Sequence, residues 1–104
     1  MPERTYYVYI MASRSLTLYI GFTSQIEVRV RQHQNGTFEG FSKQYHCSRL
    51  VYYERYQEAL AAIAREKQLK RWSREKKLAL IKQSNPTFLD LSDEWGKPLP
   101  PMSL

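Results

Sequence analysis

Residues 17–33, TLYIGFTSQIEVRVRQH, change period halfway along, and that change directs the chain toward a mixed α+β fold. Up to Thr23 the segment is β-branched and aromatic, with the alternation of a strand. From Ile26 onward the spacing is helical, with Ile26, Arg29, Val30 and His33 at i, i+3, i+4 and i+7 on one stripe. Ser24 followed by Glu27 reads as a capping box that opens this helix. Asn35-Gly36 closes it, glycine suiting the left-handed position after the last turn.

The other elements follow from the same signals. TYYVYIM at 5–11 is a first strand, most simply antiparallel to the one at 17–23. Their connection, ASRSLT, holds no glycine and reads as a short polar turn. LVYYERY at 50–56 is a third strand, and helices are expected over 57–71 and, capped by Ser73, over 74–82. Residues 36–49 form a loop or lid rich in polar and aromatic groups. SNPTFLDLSDEW reads as a packed extension and GKPLPPMSL as a flexible proline-rich tail. With 104 residues there is material for one modest core, so 1–95 is taken as a single domain and 96–104 as the tail.

Charge narrows the partners. The formal net charge is +6, and residues 65–82, REKQLKRWSREKKLALIK, hold eight Lys/Arg against Glu66 and Glu75. The rest of the chain balances. Arg65, Lys67, Lys70, Arg71, Arg74, Lys76 and Lys77, with Trp72 among them, suit docking to a phosphate backbone. A solvated lysine-rich helix face is the plainer reading. One cysteine, Cys47, excludes an internal disulfide and suits a reducing compartment. No stretch approaches the roughly 18 apolar residues of a membrane span, and the first residues carry no apolar signal region. The expectation is a soluble, cytoplasmic protein with no membrane partner; oligomeric state stays open.

Three polar groups stand on stripes otherwise meant for a core. Arg29 and His33 share the stripe of Ile26 and Val30, and Glu66 lies near the centre of the arc Ala59, Ala62, Ile63 and Leu69. A buried-side arginine is costly unless an anion meets it. An internal ion pair or a snorkelling stem is the structural alternative. Glu66 is either a salt-bridge partner of Lys70 or Arg29, or a ligand for a hard divalent cation. Tyr7, Tyr9 and Met11 share one face of the first strand and Tyr19 and Gly21 one face of the second. Gly21 leaves room there for a ligand or backbone to approach. Phenol hydroxyls on that face can hold or deprotonate a water.

Tyr7-Val8-Tyr9, Tyr19-Ile20-Gly21 about ten residues on, then Arg29, His33 and Glu66, resemble the GIY-YIG nuclease superfamily. The chain is similar in particular to its small stand-alone bacterial members, sharing LVYYE, the REKQLKRWSREKK block and the Asn85-to-Leu91 ending. The ordered set spans roughly residues 5–91. The resemblance implies a small three-stranded antiparallel sheet flanked by helices, in the order β-β-α-β-α-α. It also implies phosphodiester hydrolysis in nucleic acid, most simply DNA, with one divalent cation, Mg²⁺ or Mn²⁺, on Glu66. Tyr9 would activate the attacking water, Tyr19 position water or phosphate, Arg29 stabilise phosphate charge and His33 support proton transfer. Tyr7, Gly21, Lys43, His46 and Asn85 are assisting candidates. Tyr7 departs from the glycine of the first motif, and Phe88 stands where many relatives have tryptophan. Neither departure alters Tyr9, Tyr19, Arg29, His33 or Glu66.

Two rival readings remain from the sequence. One is a non-catalytic nucleic-acid binder using the 65–82 face. The other is a protein-interaction module with KPLPP as a polyproline ligand. No cysteine or histidine cluster, phosphate-cradling glycine loop or nucleophile elbow competes.

Overall fold

The structure, a computed structural model, describes residues 4–37 and 40–95. Strands β1 (Tyr6–Ala12), β2 (Leu18–Thr23) and β3 (Arg49–Tyr56) form one antiparallel sheet in the order β2-β1-β3. Helix α1 (Ile26–Asn35) follows β2, a short α2 (Phe41–Gln44) interrupts the expected loop, and α3 (Ala59–Arg71) and α4 (Arg74–Ser84) follow β3. A 3₁₀ turn spans Leu91–Glu94.

The central strand explains its own composition. Val8 to Ala12 are all fully buried, because both faces of β1 are covered. On one face Val8, Ile10, Ala12, Ile20 and Val51 meet Ala62 and Leu69 of α3 and Ile81 of α4. On the other, Tyr9, Met11 and Leu50 meet Ile26 and Val30 of α1, together with Cys47. The β1–β3 register shifts between Ile10, opposite Tyr52, and Met11, opposite Leu50. Val51 is the extra residue of that bulge.

The caps agree with the sequence reading in part. Ser73 accepts from the Lys76 amide at 3.2 Å, as its position before α4 requires. Gly36, with φ of 72°, ends α1 by donating to Gln32 and His33 carbonyls. The capping box at Ser24 is not made. Helix α1 starts from Gln25, whose side chain caps nothing, and the Gln25 amide is instead taken by the Thr23 hydroxyl at 3.0 Å. The hydroxyl one residue earlier satisfies the chain at the strand exit and shifts the helix start by one position.

The turn between β1 and β2 closes through Ser13, whose amide donates to the Thr17 carbonyl at 3.0 Å, with Leu16 left-handed at φ 64°. After α4 the chain straps back across β3. Asn85 Nδ2 donates to the carbonyls of Val51 (3.0 Å) and Leu89 (2.9 Å), and Asp90 Oδ1 accepts from the Leu50 amide at 3.2 Å. Those side chains satisfy backbone groups on the outer edge of β3. The segment 96–104, read as a tail, lies outside the described residues.

Candidate active site

Four chemistry-bearing residues meet at the β2 side of the sheet, and the charge of a fifth, Glu66, acts on them. Tyr9 is fully buried on β1, and its Oη lies 2.8 Å from Nε2 of His33, itself buried on α1. Tyr19, half-buried on β2, completes a three-ring cluster, its centroid 6.3 Å from Tyr9 and 4.9 Å from His33. Arg29 stands one helical turn before His33, so both point from α1 toward the same phenols. Glu66 acts on the two phenols by charge from α3, which packs on the opposite face of the sheet.

Gly21 has a different part from the one expected. It is paired directly across from Tyr9, and a Cβ at position 21 would collide with Cζ and Oη of that tyrosine. The space thought open to a ligand is filled by the Tyr9 phenol. The missing side chain is therefore what lets Tyr9 lie across β2 toward His33.

The electrostatics follow from burial around one arginine. Burial first, then Tyr19, pushes the Tyr9 phenol well above its ordinary range; Arg29 opposes this by charge and hydrogen bonding, and Glu66 adds to it. Tyr19 is raised too, by burial and by Glu66, against the pull of Arg29 and a hydrogen bond with Tyr9. His33 is pushed down to about 4, by burial first and then by the Arg29 charge. At neutral pH the cluster thus holds two protonated phenols and a neutral imidazole. A neutral imidazole with its hydrogen on Nδ1 accepts from Tyr9 Oη at Nε2, and the other tautomer donates to it.

The Glu66 side chain is only 19% exposed, and Nζ of Lys70, whose side chain is 54% exposed, lies 3.4 Å from its carboxylate. A hard cation fits this setting, because one carboxylate is a sufficient protein ligand when water and phosphate oxygens fill the other positions. Among the described residues no three His, Cys, Asp or Glu side chains gather to hold a metal by themselves. Among those same residues, Glu66 is the carboxylate whose charge acts on both tyrosines.

Other candidates fall elsewhere. Tyr7 packs edge-on against Tyr53, with centroids 6.2 Å apart. Asn85 is buried and spends its amide on the turn described above, accepting from the Leu89 amide at 2.9 Å. Lys43 and His46 are exposed and line a pocket with His33.

In the basic block, Lys67, Lys70, Arg71 and Lys76 are exposed and Lys77 is half-buried. Arg74 donates to the Leu16 carbonyl at 2.6 Å, which ties the β1–β2 turn to α4. Arg65 is committed inward. Its Nε and Nη2 donate to the two oxygens of Glu54 at 2.9 and 3.0 Å, and its Nη1 donates to Gln68 at 2.7 Å. Trp72 has two cations over its ring, Arg65 at 5.1 Å and Lys76 at 4.8 Å from the centroid, and packs against the core.

Sequence reasoning missed Glu54. Tyr52 and Tyr56 both donate to it, and together with Arg65 they hold its carboxyl below the usual range despite the opposing effect of burial. The i, i+2 spacing of Tyr52, Glu54 and Tyr56 on a strand was the available signal.

Residues 5–79 match the GIY-YIG catalytic domain. The chain belongs to the GIY-YIG family. A UPF0213 protein of Staphylococcus saprophyticus is 36% identical over 78 residues, covering 75% of this chain and 95% of that protein. One from Staphylococcus aureus strain Mu3 is 34% identical over 79 residues, covering 76% and 96%. The solution NMR structure of a UPF0213 protein from Bacillus halodurans shares the fold, with a TM-score of 0.55 at 22% identity over 90% of this chain and 99% of that one.

Proposed function

We propose that this protein is a metal-dependent nuclease that hydrolyses phosphodiester bonds in DNA. The observation that carries the reading is the meeting of opposite charges on one pair of phenols. Arg29 from one face of the sheet and Glu66 from the other both act on Tyr9 and Tyr19. A scissile phosphate seated there meets the guanidinium, which offsets charge developing on its non-bridging oxygens. Tyr19 holds water or phosphate through its hydroxyl. Tyr9 takes a proton from the attacking water at Oη as it passes its own to Nε2 of neutral His33. Burial keeps that imidazole unprotonated and ready to accept. Mg²⁺ or Mn²⁺ held by Glu66 supplies Lewis-acid charge neutralisation at the phosphoryl group. The exposed Lys67, Lys70, Arg71 and Lys76 offer the surface for duplex backbone, and 1–95 is taken as the single domain that does this.

The test is cleavage of duplex, flap, junction and single-stranded substrates with Mg²⁺ or Mn²⁺ and with chelator. Parent protein should cut only with metal. Arg29→Ala should lose roughly 10²–10³ in rate, the scale of one preorganised charge-stabilising donor, and Arg29→Lys should recover only part of it. An Arg29→Ala protein that cuts normally would sink the mechanism. One observation favours a second reading, a non-catalytic nucleic-acid binder: the Glu66–Lys70 pair gives Glu66 a structural partner. Binding without cleavage of any substrate in the panel would select that reading. Removal of residues 96–104 without loss of nucleic-acid activity would count against the interaction-module reading.

A further inference from the structure

Beyond His33 the surface opens into two adjoining pockets of about 320 and 420 Å³ that share His46 and Ser48. The first runs from His33 along the end of α1 to Lys43, and the second continues past Tyr45 to Arg14 in the β1–β2 turn. Together they make a groove that begins at the imidazole bonded to Tyr9 and ends at the turn after β1.

We propose that this groove binds an unpaired nucleic-acid strand next to the scissile bond. The inference rests on the nuclease reading and adds to it the strand structure that the site accepts. Among the described residues its lining includes no acid, and two cations, Lys43 and Arg14, stand toward its two ends. Between them are two exposed flat rings. Tyr45 is 45% exposed, and its neighbour His46 is held left-handed at φ 55°. Ser13, Ser15 and Ser48 add hydroxyls along the walls. A basic track interleaved with aromatic faces is the chemistry of single-strand binding, since phosphates meet the cations and unstacked bases lie on the rings. Duplex bases, already stacked on each other, have no face to offer those rings. The exposed Lys67, Lys70 and Arg71 belong to α3, across the sheet from α1, so the groove is a surface separate from the duplex-binding face.

The test is fluorescence anisotropy with a labelled oligothymidylate and a labelled duplex, in chelator so that nothing is cut. Tyr45→Ala should weaken oligothymidylate binding by about tenfold to a hundredfold, the scale of removing one base–aromatic stack, while duplex binding stays unchanged. Tyr45→Phe should bind like the parent. Replacing Arg14 and Lys43 together by Gln should lower the single-strand salt slope by about 0.7 for each phosphate no longer neutralised. If both variants keep the parent's folded melting profile and its single-strand affinity, the groove is not a strand site. Equal weakening for single strand and duplex would overturn the proposal too, since it would mark a general electrostatic effect. A parent that cuts nothing yet shows Tyr45-dependent strand binding would leave the groove standing and remove the nuclease reading.

Discussion

The phenol of Tyr9 occupies the volume that any side chain at Gly21 would need. The two residues are directly paired across β1 and β2, so strand register itself aims the phenol at His33. An activity that depends on Tyr9 Oη is therefore sensitive to a position with no functional group.

Gly21→Ala tests this relationship. The added methyl must displace the Tyr9 ring, which is fully buried and has little room to move. Overpacking of this kind costs about 1–3 kcal/mol, and Tm should fall accordingly. Cleavage should fall further than stability explains, because the Tyr9–His33 hydrogen bond is broken. Unchanged melting and activity would mean that the ring has another place to go.

The pH dependence of stability should carry the mark of His33. Its folded value near 4 lies below the ordinary 6.5, so between those limits the unfolded chain binds more protons. Stability therefore rises with pH across that window, is complete above about 6.5, and is lost as pH falls toward 4. The contribution is at most a few kcal/mol. His33→Gln should flatten the curve in that window, and NMR titration of the ring should show it neutral at pH 6. In Arg29→Ala the His33 value should move up, since Arg29 is the second cause of its depression.

Glu66→Gln separates ligand from strut. The Glu66–Lys70 pair is an i, i+4 contact with a half-exposed lysine, so breaking it should cost only about 0.3–0.5 kcal/mol. If Glu66 holds the cation, Mn²⁺ should raise Tm in the parent, by an amount equivalent to about 2.7 kcal/mol at a hundred times Kd, and leave the variant unmoved. Nucleic-acid binding should persist while cleavage disappears. A variant that melts several degrees lower yet responds to Mn²⁺ like the parent would make Glu66 structural.

The cations of the basic block should divide into two kinds. Lys67, Lys70 and Arg71 are exposed, and replacing all three by Gln should weaken duplex binding for every sequence alike. The salt slope should drop by about 0.9 for each phosphate that the variant leaves unneutralised. Arg65→Gln should act on stability instead, because it strands the Glu54 carboxylate beside two tyrosines. Equal effects of Arg65 and Lys67 on binding would mean that the ion pair opens when nucleic acid arrives.

The periodicities that define each strand and helix were legible because they are local. Val8 to Ala12 is apolar throughout since both faces are covered, and the α1 stripe carries Arg29 and His33 toward the sheet as its spacing requires. What escaped the sequence depends on partners far along the chain. Thr23 competes with Ser24 for the helix start through a hydrogen bond that only the strand exit geometry decides. Gly21 looked like open space because its occupant, Tyr9, comes from another strand. Arg65 was indistinguishable from its basic neighbours until Glu54, eleven positions earlier, was placed beside it. Arg14 sits in the β1–β2 connection and Tyr45 and Ser48 in that before β3, and only the finished topology makes them one groove.

Arg65 and Glu66 are consecutive, so on a helix they leave the axis about 100° apart. The first is locked to β3 at one edge of the sheet, and the second sends its charge toward Tyr19 on β2 at the other. The bidentate clamp fixes the roll of α3 about its own axis. Under the nuclease reading, the Glu66 carboxylate would then need little reorganisation when substrate binds.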